Sequence, residues 1–307
     1  MNTVLNQAHG ENWTLINGDC VEVINMMPEN SLHLTITSPP YASLYTYSNS
    51  ERDMGNSASD EQFYKHFDYM IAGLHRATKP GRIVVMDCMN IPAMKERDGY
   101  IGIKDFRGDL IRAFQKAGFI FHSEHCAWKD PLIEATRTKA LGLMHKQLCK
   151  DSTRSRAGLP QYLLAFRKDG ENPEPVAHPD GLTEFAGENG PTHGTLSHER
   201  WRRYASPVWM DINFSNTLNA NAARDNDDER HVCPMSLDLI ERAIQLWSNP
   251  GDIVYDPFSG VGSTGYQAIK MGRKFAGSEL KQSYFSQAVK NIGSAKANQG
   301  GLFEDAA

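Results

Sequence analysis

This 307-residue chain has little that would serve as a covalent or membrane framework. Its five cysteines, Cys20, Cys88, Cys126, Cys149 and Cys233, are an odd number with no C-x-x-C pair, which argues against a disulfide scaffold or a four-cysteine zinc site. No stretch approaches the ~20 consecutive apolar residues that a bilayer-crossing helix needs. Met1 to Glu11 also lacks a basic start followed by an apolar run. The expectation is a cytosolic, reduced protein with no membrane partner. Surplus positive charge is missing as well: 32 Lys and Arg face 37 Asp and Glu, a formal net charge of -5. Coating nucleic acid through bulk charge is thereby excluded, and any polyanion site must be a local patch. With 40% hydrophobic and 22% charged residues the composition is that of an ordinary globular protein, long enough for two domains or one large domain with an insertion.

What is present is an alternation of strand-like and helix-like segments. Leu32 to Pro40 reads as a short strand that Pro39 and Pro40 must end, since neither donates a ladder hydrogen bond. Asp252 to Phe258 reads as a second strand, running through the glycine-rich turn Ser259 to Gly265 into a helix that ends near Met271 and Gly272. Between them the spacing predicts helices over Phe63 to Thr78 and Ile101 to Ala117. Lys79-Pro80-Gly81 is a turn feeding a strand from Arg82 to Cys88, and Phe119 to Trp128 and Gln161 to Arg167 are further strands. Lys274 to Glu279 is a strand and Lys281 to Ile292 a helix. This alternation predicts an α/β fold, a mainly parallel twisted sheet flanked by helices.

Charge is distributed unevenly. Lys129 to Lys168 holds nine Lys or Arg (Lys129, Arg137, Lys139, Lys146, Lys150, Arg154, Arg156, Arg167, Lys168) against Asp130, Glu134 and Asp151, a local surplus of nine minus three, or +6. Asp169 to Glu199 then carries seven acids and no Lys or Arg, with many Gly and Pro, and reads as an irregular insertion. Arg200-Trp201-Arg202-Arg203-Tyr204 interleaves cations with aromatics, and Arg224 and Arg230 follow. A charge run is as often a solvated face as a ligand site.

Thr37-Ser38-Pro39-Pro40-Tyr41 is the most specific signal. Two prolines directly after a strand fix the backbone and leave the Ser38 and Pro39 carbonyls without sheet partners, beside an aromatic ring. Such an arrangement suits a planar amine: fixed acceptors for both protons favour the tetrahedral nitrogen that attacks a methyl group, and the ring stacks on the base. A plain Pro-Pro turn closing a strand is the simpler alternative. The second signal, Asp256-Pro257-Phe258-Ser259-Gly260-Val261-Gly262-Ser263-Thr264, contains G-x-G-x-x-G as Gly260, Gly262 and Gly265, with Glu279 ending the next strand. This is the recipe for a ribose-bearing cofactor, and by itself it equally describes a nicotinamide-dependent oxidoreductase.

Together the two motifs resemble the DNA amino-methyltransferases that use S-adenosylmethionine, in the subgroup whose catalytic motif precedes the cofactor motif. The resemblance covers Trp13 to Ile292. Ser38-Pro39-Pro40-Tyr41 matches the family's catalytic tetrapeptide at every position, and Asp256 to Thr264 matches its cofactor loop. Asn17-Gly18-Asp19-Cys20 resembles the upstream segment whose acid contacts the cofactor's adenosine. Lys79-Pro80-Gly81-Arg82 resembles the turn before a core strand, and His231-Val232-Cys233-Pro234-Met235-Ser236 the segment that helps hold the methionine part. Glu279 falls at the ribose-binding acid. The resemblance implies a Rossmann-like methyltransferase fold with S-adenosylmethionine held by Asp19, Cys20, Ser236, Asp256, Pro257, Phe258, Gly260, Gly262, Ser263, Thr264, Glu279 and Leu280. Ser38 and the Pro39 carbonyl would accept the amine protons, Pro40 would stiffen the loop and Tyr41 would stack the base. Cytosine C5 methylation is excluded, because its Pro-Cys nucleophile is lacking.

The same resemblance implies double-stranded DNA as partner, a target base flipped from the duplex, and frequent pairing into homodimers. Arg52, Arg137, Lys139, Lys146, Arg154, Arg156, Arg200, Arg202 and Arg203 are the candidate DNA contacts, and the loop Ala42 to Ser59 a candidate cover for the base. Residues 12–128 would form the catalytic half and 129–230 a target-recognition insertion with a returning core strand near 161–167. Residues 231–293 would form the cofactor-binding half, with 294–307 a C-terminal tail. The motif order favours adenine N6 narrowly over cytosine N4, although Ser in the first motif position is the form often seen in enzymes of the cytosine amino group. No metal is expected: His122 and His125 lack a partner cluster. Asp87-Cys88 reads as a packed strand end.

Overall fold

A run such as Ile83 to Cys88 is buried along its whole length, which requires a sheet covered on both faces. The structure, a computed structural model, describes residues 4–41, 53–57, 59–93, 95–138, 140–179, 181–182, 193–220, 223 and 234–300. The first half of the chain forms β1 (Val4–His9), β2 (Trp13–Gly18), α1 (Cys20–Met26), β3 (Leu32–Thr37), α2 (Asp60–Ala77), β4 (Thr78–Cys88), β5 (Ile91–Ala93), α3 (Lys95–Asp98), β6 (Gly102–Lys104), α4 (Phe106–Lys116) and β7 (Phe119–Ala127). The second half forms α5 (Pro131–Thr138), α6 (His145–Lys150), β8 (Gln161–Lys168), α7 (His193–Tyr204), β9 (Val208–Trp209), α8 (Leu237–Trp247), β10 (Ile253–Asp256), α9 (Ser263–Lys270), β11 (Lys274–Glu279) and α10 (Gln282–Gly300).

The main sheet has nine strands in the order β1-β2-β11-β10-β3-β4-β8-β7-β9. The five from β2 to β4 are parallel. β8 runs antiparallel between β4 and β7, so β4 and β7 point the same way. On one face α1, α2 and α4 bury Ile24, Phe63, Phe67, Leu74, Leu110 and Phe114; on the other α8, α9 and α10 bury Ile240, Ile244, Ala268, Ile269, Ala288 and Ile292. α2 shows how the pattern works. Ser59 caps its N-terminus by accepting from the Gln62 N–H at 3.2 Å, Asp60 and Glu61 fill the first turn, and His75 and Arg76 the last.

The expected mainly parallel α/β sheet is present, with local differences. The helix expected from Ile101 starts at Phe106, because Asp105 caps it by accepting from the Gly108 N–H at 3.0 Å. Gly102–Lys104 instead pairs with Ile91–Ala93 as a small hairpin. The expected turn at Lys79-Pro80-Gly81 lies inside β4 as an irregularity: Leu32 pairs with Thr78 but Leu34 with Ile83, and Gly81 takes φ 72°. The segment expected to be irregular up to Glu199 is helical from His193, and the last helix runs on to Gly300. Among the described residues no helix is long and apolar enough to cross a membrane.

Candidate active site

β10 and β3 lie side by side, with Val254 opposite Leu34 and Tyr255 opposite Thr35. After β10 the chain turns through the glycine loop into α9 on one face, whereas after β3 it heads for α2 on the other. Neighbouring strands whose following connections diverge leave a crevice at their carboxyl ends, the usual ligand site of open α/β sheets. The two sequence motifs meet there. Thr37 Oγ1 donates to Asp256 Oδ1 at 2.6 Å across 219 positions, and Thr264 Oγ1 donates to the Ile36 carbonyl at 3.4 Å.

Asp256 is buried, accepts a second bond from the Phe258 N–H at 3.0 Å, and is pushed up to about 6 by burial against the opposing pull of those bonds. The loop beyond it is closed by its own hydrogen bonds: Ser259 N–H to the Ser278 carbonyl, Ser278 Oγ to the Pro257 carbonyl, and Gly262 N–H to the Ser259 carbonyl at 2.7 Å. Its glycines do different jobs. Gly262 takes φ 88°, where an added Cβ would lie 3.1 Å from Ala288 and Ile292; at Gly265 the Cβ would meet Phe275 at 2.7 Å. Gly260 also has positive φ, 52°, but a Cβ there would meet nothing within 4 Å. It faces open space.

Glu279 closes the far side. Oε2 accepts from the Gly260 N–H and Oε1 from the Lys281 N–H, both at 2.8 Å. Burial first, opposed by those two bonds and reinforced by the charges of Asp256 and Asp53, pushes it up to about 7. Asn17 Nδ2 ties the end of β11 to β2 by donating to the Glu279 and Leu280 carbonyls at 2.7 and 3.0 Å. Asp19 caps α1 through the Val21 N–H. Asn17 Oδ1, Ser263 Oγ and Asp53 Oδ2 are buried and have no partner among the described residues. Orphaned acceptors, acids and open space over Gly260 suit a ligand that carries hydroxyl groups and positive charge.

On the catalytic side Ser38 is half-buried and Pro39 and Pro40 are buried. Tyr41 packs on Phe106 with ring centroids 5.5 Å apart. Other expected residues are placed less simply. Cys20 is buried in the core, where burial pushes its thiol up. Ser236 is buried at the start of α8 and donates to the Asn213 carbonyl at 3.0 Å. Asp53, Thr37 and Asn17 had no individual role in the sequence motifs; for the last two the available signal was their place at the head of the segments that carry Ser38 and Asp19.

Of the expected DNA contacts, Lys146 and Arg202 are exposed. Arg154 is largely exposed, 3.4 Å from Asp151, and Arg203 lies 3.5 Å from Asp211. Arg200 sits half-buried on α7. Arg156 is committed within the chain, to Glu134 at 3.4 Å and the Ala157 carbonyl at 2.9 Å. Arg52, Lys139, Arg224, Arg230, His231 to Cys233, the side chain of Arg137 and most of the loop Ala42 to Ser59 lie outside the described residues. His122 contacts Ser123, and His125 contacts the Ser206 carbonyl and stacks on Trp209. Among the described residues one cluster, His33, Glu174 and Asp252, has metal-ligand spacing. Lys79 and Arg82 already neutralise it, and His33 Nδ1 accepts from the Ile253 N–H, which leaves the proton on Nε2.

A parallel sheet with a glycine loop and a Pro-Pro turn on one crevice is the Rossmann-like α/β architecture of methyltransferases. Solved structures share it. The protein TTHA0409 of Thermus thermophilus, solved complexed with S-adenosyl-L-methionine, superposes with a TM-score of 0.63 over 91% of this chain and 92% of its own, at 23% identity. The cytosine-N4-specific PvuII DNA methyltransferase does so with a TM-score of 0.62 over 96% and 95%, at 18% identity. The N6/N4 family model described as DNA methylase matches residues 32–290, and the chain belongs to that family. A type II methyltransferase, M.BglII of Bacillus subtilis, is 26% identical over 273 residues, 88% of this chain. The match spans 66% of that relative, just under two thirds of its length.

Proposed function

We propose that this protein transfers a methyl group from S-adenosylmethionine to the exocyclic amino group of a base flipped out of double-stranded DNA. The observation that carries this reading is the Thr37–Asp256 hydrogen bond of 2.6 Å, which holds the amine-accepting turn against the cofactor loop. The crevice fits the cofactor. Glu279, with lone pairs left after its two backbone bonds, would receive the ribose hydroxyls, and Asp19 the adenosine end. Gly260 would let the backbone come close, with Ser263, Thr264, Pro257, Phe258 and the Leu280 backbone completing the walls. Asp53, Asp256 and Glu279 give the site the negative charge that a cationic ligand needs. When bound, S-adenosylmethionine supplies a methyl group on a sulfonium centre.

The protein's part is positioning. An exocyclic amine is a poor nucleophile because its lone pair is delocalised into the ring. Ser38 and the Pro39 carbonyl accept its protons and favour the tetrahedral nitrogen, a preorganisation worth several kcal/mol where water is excluded. Pro40 keeps the acceptors in place, and Tyr41, backed by Phe106, stacks on the base. Lys146, Arg154, Arg202 and Arg203 would hold the duplex through its phosphates while the base is out.

Two bases offer such an amine. Adenine N6 is favoured narrowly, by the order of the two motifs. Cytosine N4 is the second reading: Ser38 opens the motif, and PvuII DNA methyltransferase, a cytosine-N4-specific enzyme, shares the fold over nearly all of both chains. Mass spectrometry of nucleosides from DNA incubated with protein and tritiated donor decides: N4-methylcytosine or N6-methyladenine identifies the base, and no incorporation refutes the function. Sequencing the DNA of an expressing host then reads the recognition site.

A further inference from the structure

Most acids that the crevice brings together are already engaged. Asp256 is taken by Thr37, the Phe258 N–H and Thr264. In the proposed function Glu279 receives the ribose hydroxyls and Asp19 the adenosine end. Asp53 is left. It opens the short 3-10 turn Met54–Asn56: Oδ1 accepts from the Gly55 N–H at 2.8 Å, and the Ser57 N–H closes the turn on the Met54 carbonyl at 3.2 Å. Met54 anchors the turn in the core cluster that holds Cys20, the first residue of α1. The turn thus sits on the α1 side of the crevice, within range for the Asp53 charge to act on Glu279. Two of its polar atoms are unused. Asp53 is 9% exposed and Ser57 7%, yet Asp53 Oδ2 and Ser57 Oγ are buried with no hydrogen-bond partner among the described residues. Keeping a carboxylate oxygen and a hydroxyl dry on one short turn is costly unless a ligand meets them.

Resting on the proposed function, we infer that Asp53 Oδ2 and Ser57 Oγ receive the α-ammonium of the cofactor's methionine arm. The cofactor's donors are a base amine, the ribose hydroxyls and this ammonium, and the first two have their acceptors in Asp19 and Glu279. The ammonium has no other acid to meet. The segment expected to hold that arm offers Ser236, whose proton goes to the Asn213 carbonyl at 3.0 Å. Asp238, just beyond it, accepts from the Asn213 N–H at 2.8 Å and from Asn216 Nδ2 at 2.6 Å. An ammonium donates several hydrogen bonds and carries a full positive charge, so a carboxylate oxygen beside a hydroxyl suits it. Holding this arm fixes one of the substituents on the sulfonium and so turns the methyl carbon toward Ser38. The two residues thereby orient a group that they do not touch.

The test is titration calorimetry of the wild type, Asp53→Asn and Ser57→Ala with two ligands. S-adenosylhomocysteine carries the ammonium; methylthioadenosine keeps the adenosine and the sulfur but lacks the amino-acid arm. Asparagine still caps the turn through its side-chain oxygen, so Asp53→Asn should keep the fold. It should bind S-adenosylhomocysteine roughly 10- to 100-fold more weakly and methylthioadenosine as the wild type does. Ser57→Ala should show the same selectivity with a loss of roughly 3- to 10-fold. A loss of equal size on both ligands puts the turn against the ribose or the base and overturns the inference, as does an Asp53→Asn protein that binds both ligands normally. Should Asp53→Asn fail to fold, the Ser57→Ala comparison alone decides. A wild type that binds neither S-adenosylmethionine nor S-adenosylhomocysteine would refute the proposed function instead, a separate outcome.

Discussion

Gly260 and Gly262 are two residues apart in one loop, both at positive φ, yet replacing each with alanine should break different things. At Gly262 the left-handed backbone costs an L-residue about 1–2 kcal/mol. The new methyl would also lie 3.1 Å from Ala288 and Ile292, on the helix that covers this face. Overpacking of that kind adds roughly 1 kcal/mol or more, so Gly262→Ala should lose about 2–3 kcal/mol and roughly 3–5 °C in Tm. Gly260→Ala pays only the backbone cost, about 1 kcal/mol, because its methyl meets no protein atom within 4 Å. That open space is the approach to the cofactor, so a methyl there should weaken S-adenosylmethionine at least tenfold, about 1.4 kcal/mol. Urea denaturation and titration calorimetry on both variants read the two quantities independently. A Gly260→Ala protein that binds the cofactor as the wild type does would refute the claim that this glycine is kept for close approach.

Three further outcomes follow from the same geometry. Tyr41→Ala removes a base-stacking ring worth about 1–3 kcal/mol; turnover should fall roughly 5- to 150-fold with cofactor affinity near normal, and an unaltered rate would contradict the stacking role. Glu279, pushed up to about 7 without ligand, must be ionised to receive ribose hydroxyls. Cofactor affinity measured by calorimetry should therefore weaken as pH drops below 7, with one proton released on binding. Since its folded-state level lies above the ordinary carboxylate value, the ligand-free protein should also gain stability on acidification from pH 7 toward 4.5 and lose it as pH rises through 7. Thr37→Val deletes the 2.6 Å bond to Asp256, a hydrogen bond to a charged group worth about 1.5–3 kcal/mol. Denaturation should show that loss, and turnover should fall further than stability explains because the two loops lose their register.

Much of this was legible in the sequence where a local rule and the global fold agree. Lys274–Glu279 was bounded correctly as a strand because Arg273 and the turn at Gly272 precede it and Leu280 follows at the edge of the site. The Pro-Pro turn and glycine loop announce themselves through residues with no freedom to do anything else. Ile101 misled because an apolar residue just ahead of the helical pattern reads as its first turn, although Ile101 and Ile103, two apart, have the strand period; the Asp105 cap and the partner strand Ile91–Ala93 decide. Antiparallel insertion of β8 between β4 and β7 is a fact of pairing, invisible to periodicity. So is the meeting of Thr37 with Asp256, which depends on two strands far apart in the chain becoming neighbours.

Charge counting was the least reliable guide, and it leads to a sharper expectation for DNA. The +6 surplus between Lys129 and Lys168 looks like a binding surface, yet several of its cations are occupied at home. Lys129 is held by Gln161 and Arg156 by Glu134. Arg167 donates to the Gly170 carbonyl at 2.9 Å, and Lys168 donates to Asn30 and to the Thr78 carbonyl, both at 2.8 Å. Lys146, Lys150 and Arg202 are exposed instead. Each phosphate neutralised contributes about -0.9 to the slope of log affinity against log salt. Lys146→Ala, Lys150→Ala and Arg202→Ala should thus each make that slope shallower by about 1, whereas Arg167→Ala and Lys168→Ala should leave it unchanged while lowering stability. If the second pair flattens the slope and the first set does not, the duplex lies against the opposite end of the strands from Ser38, and the site cannot receive its base.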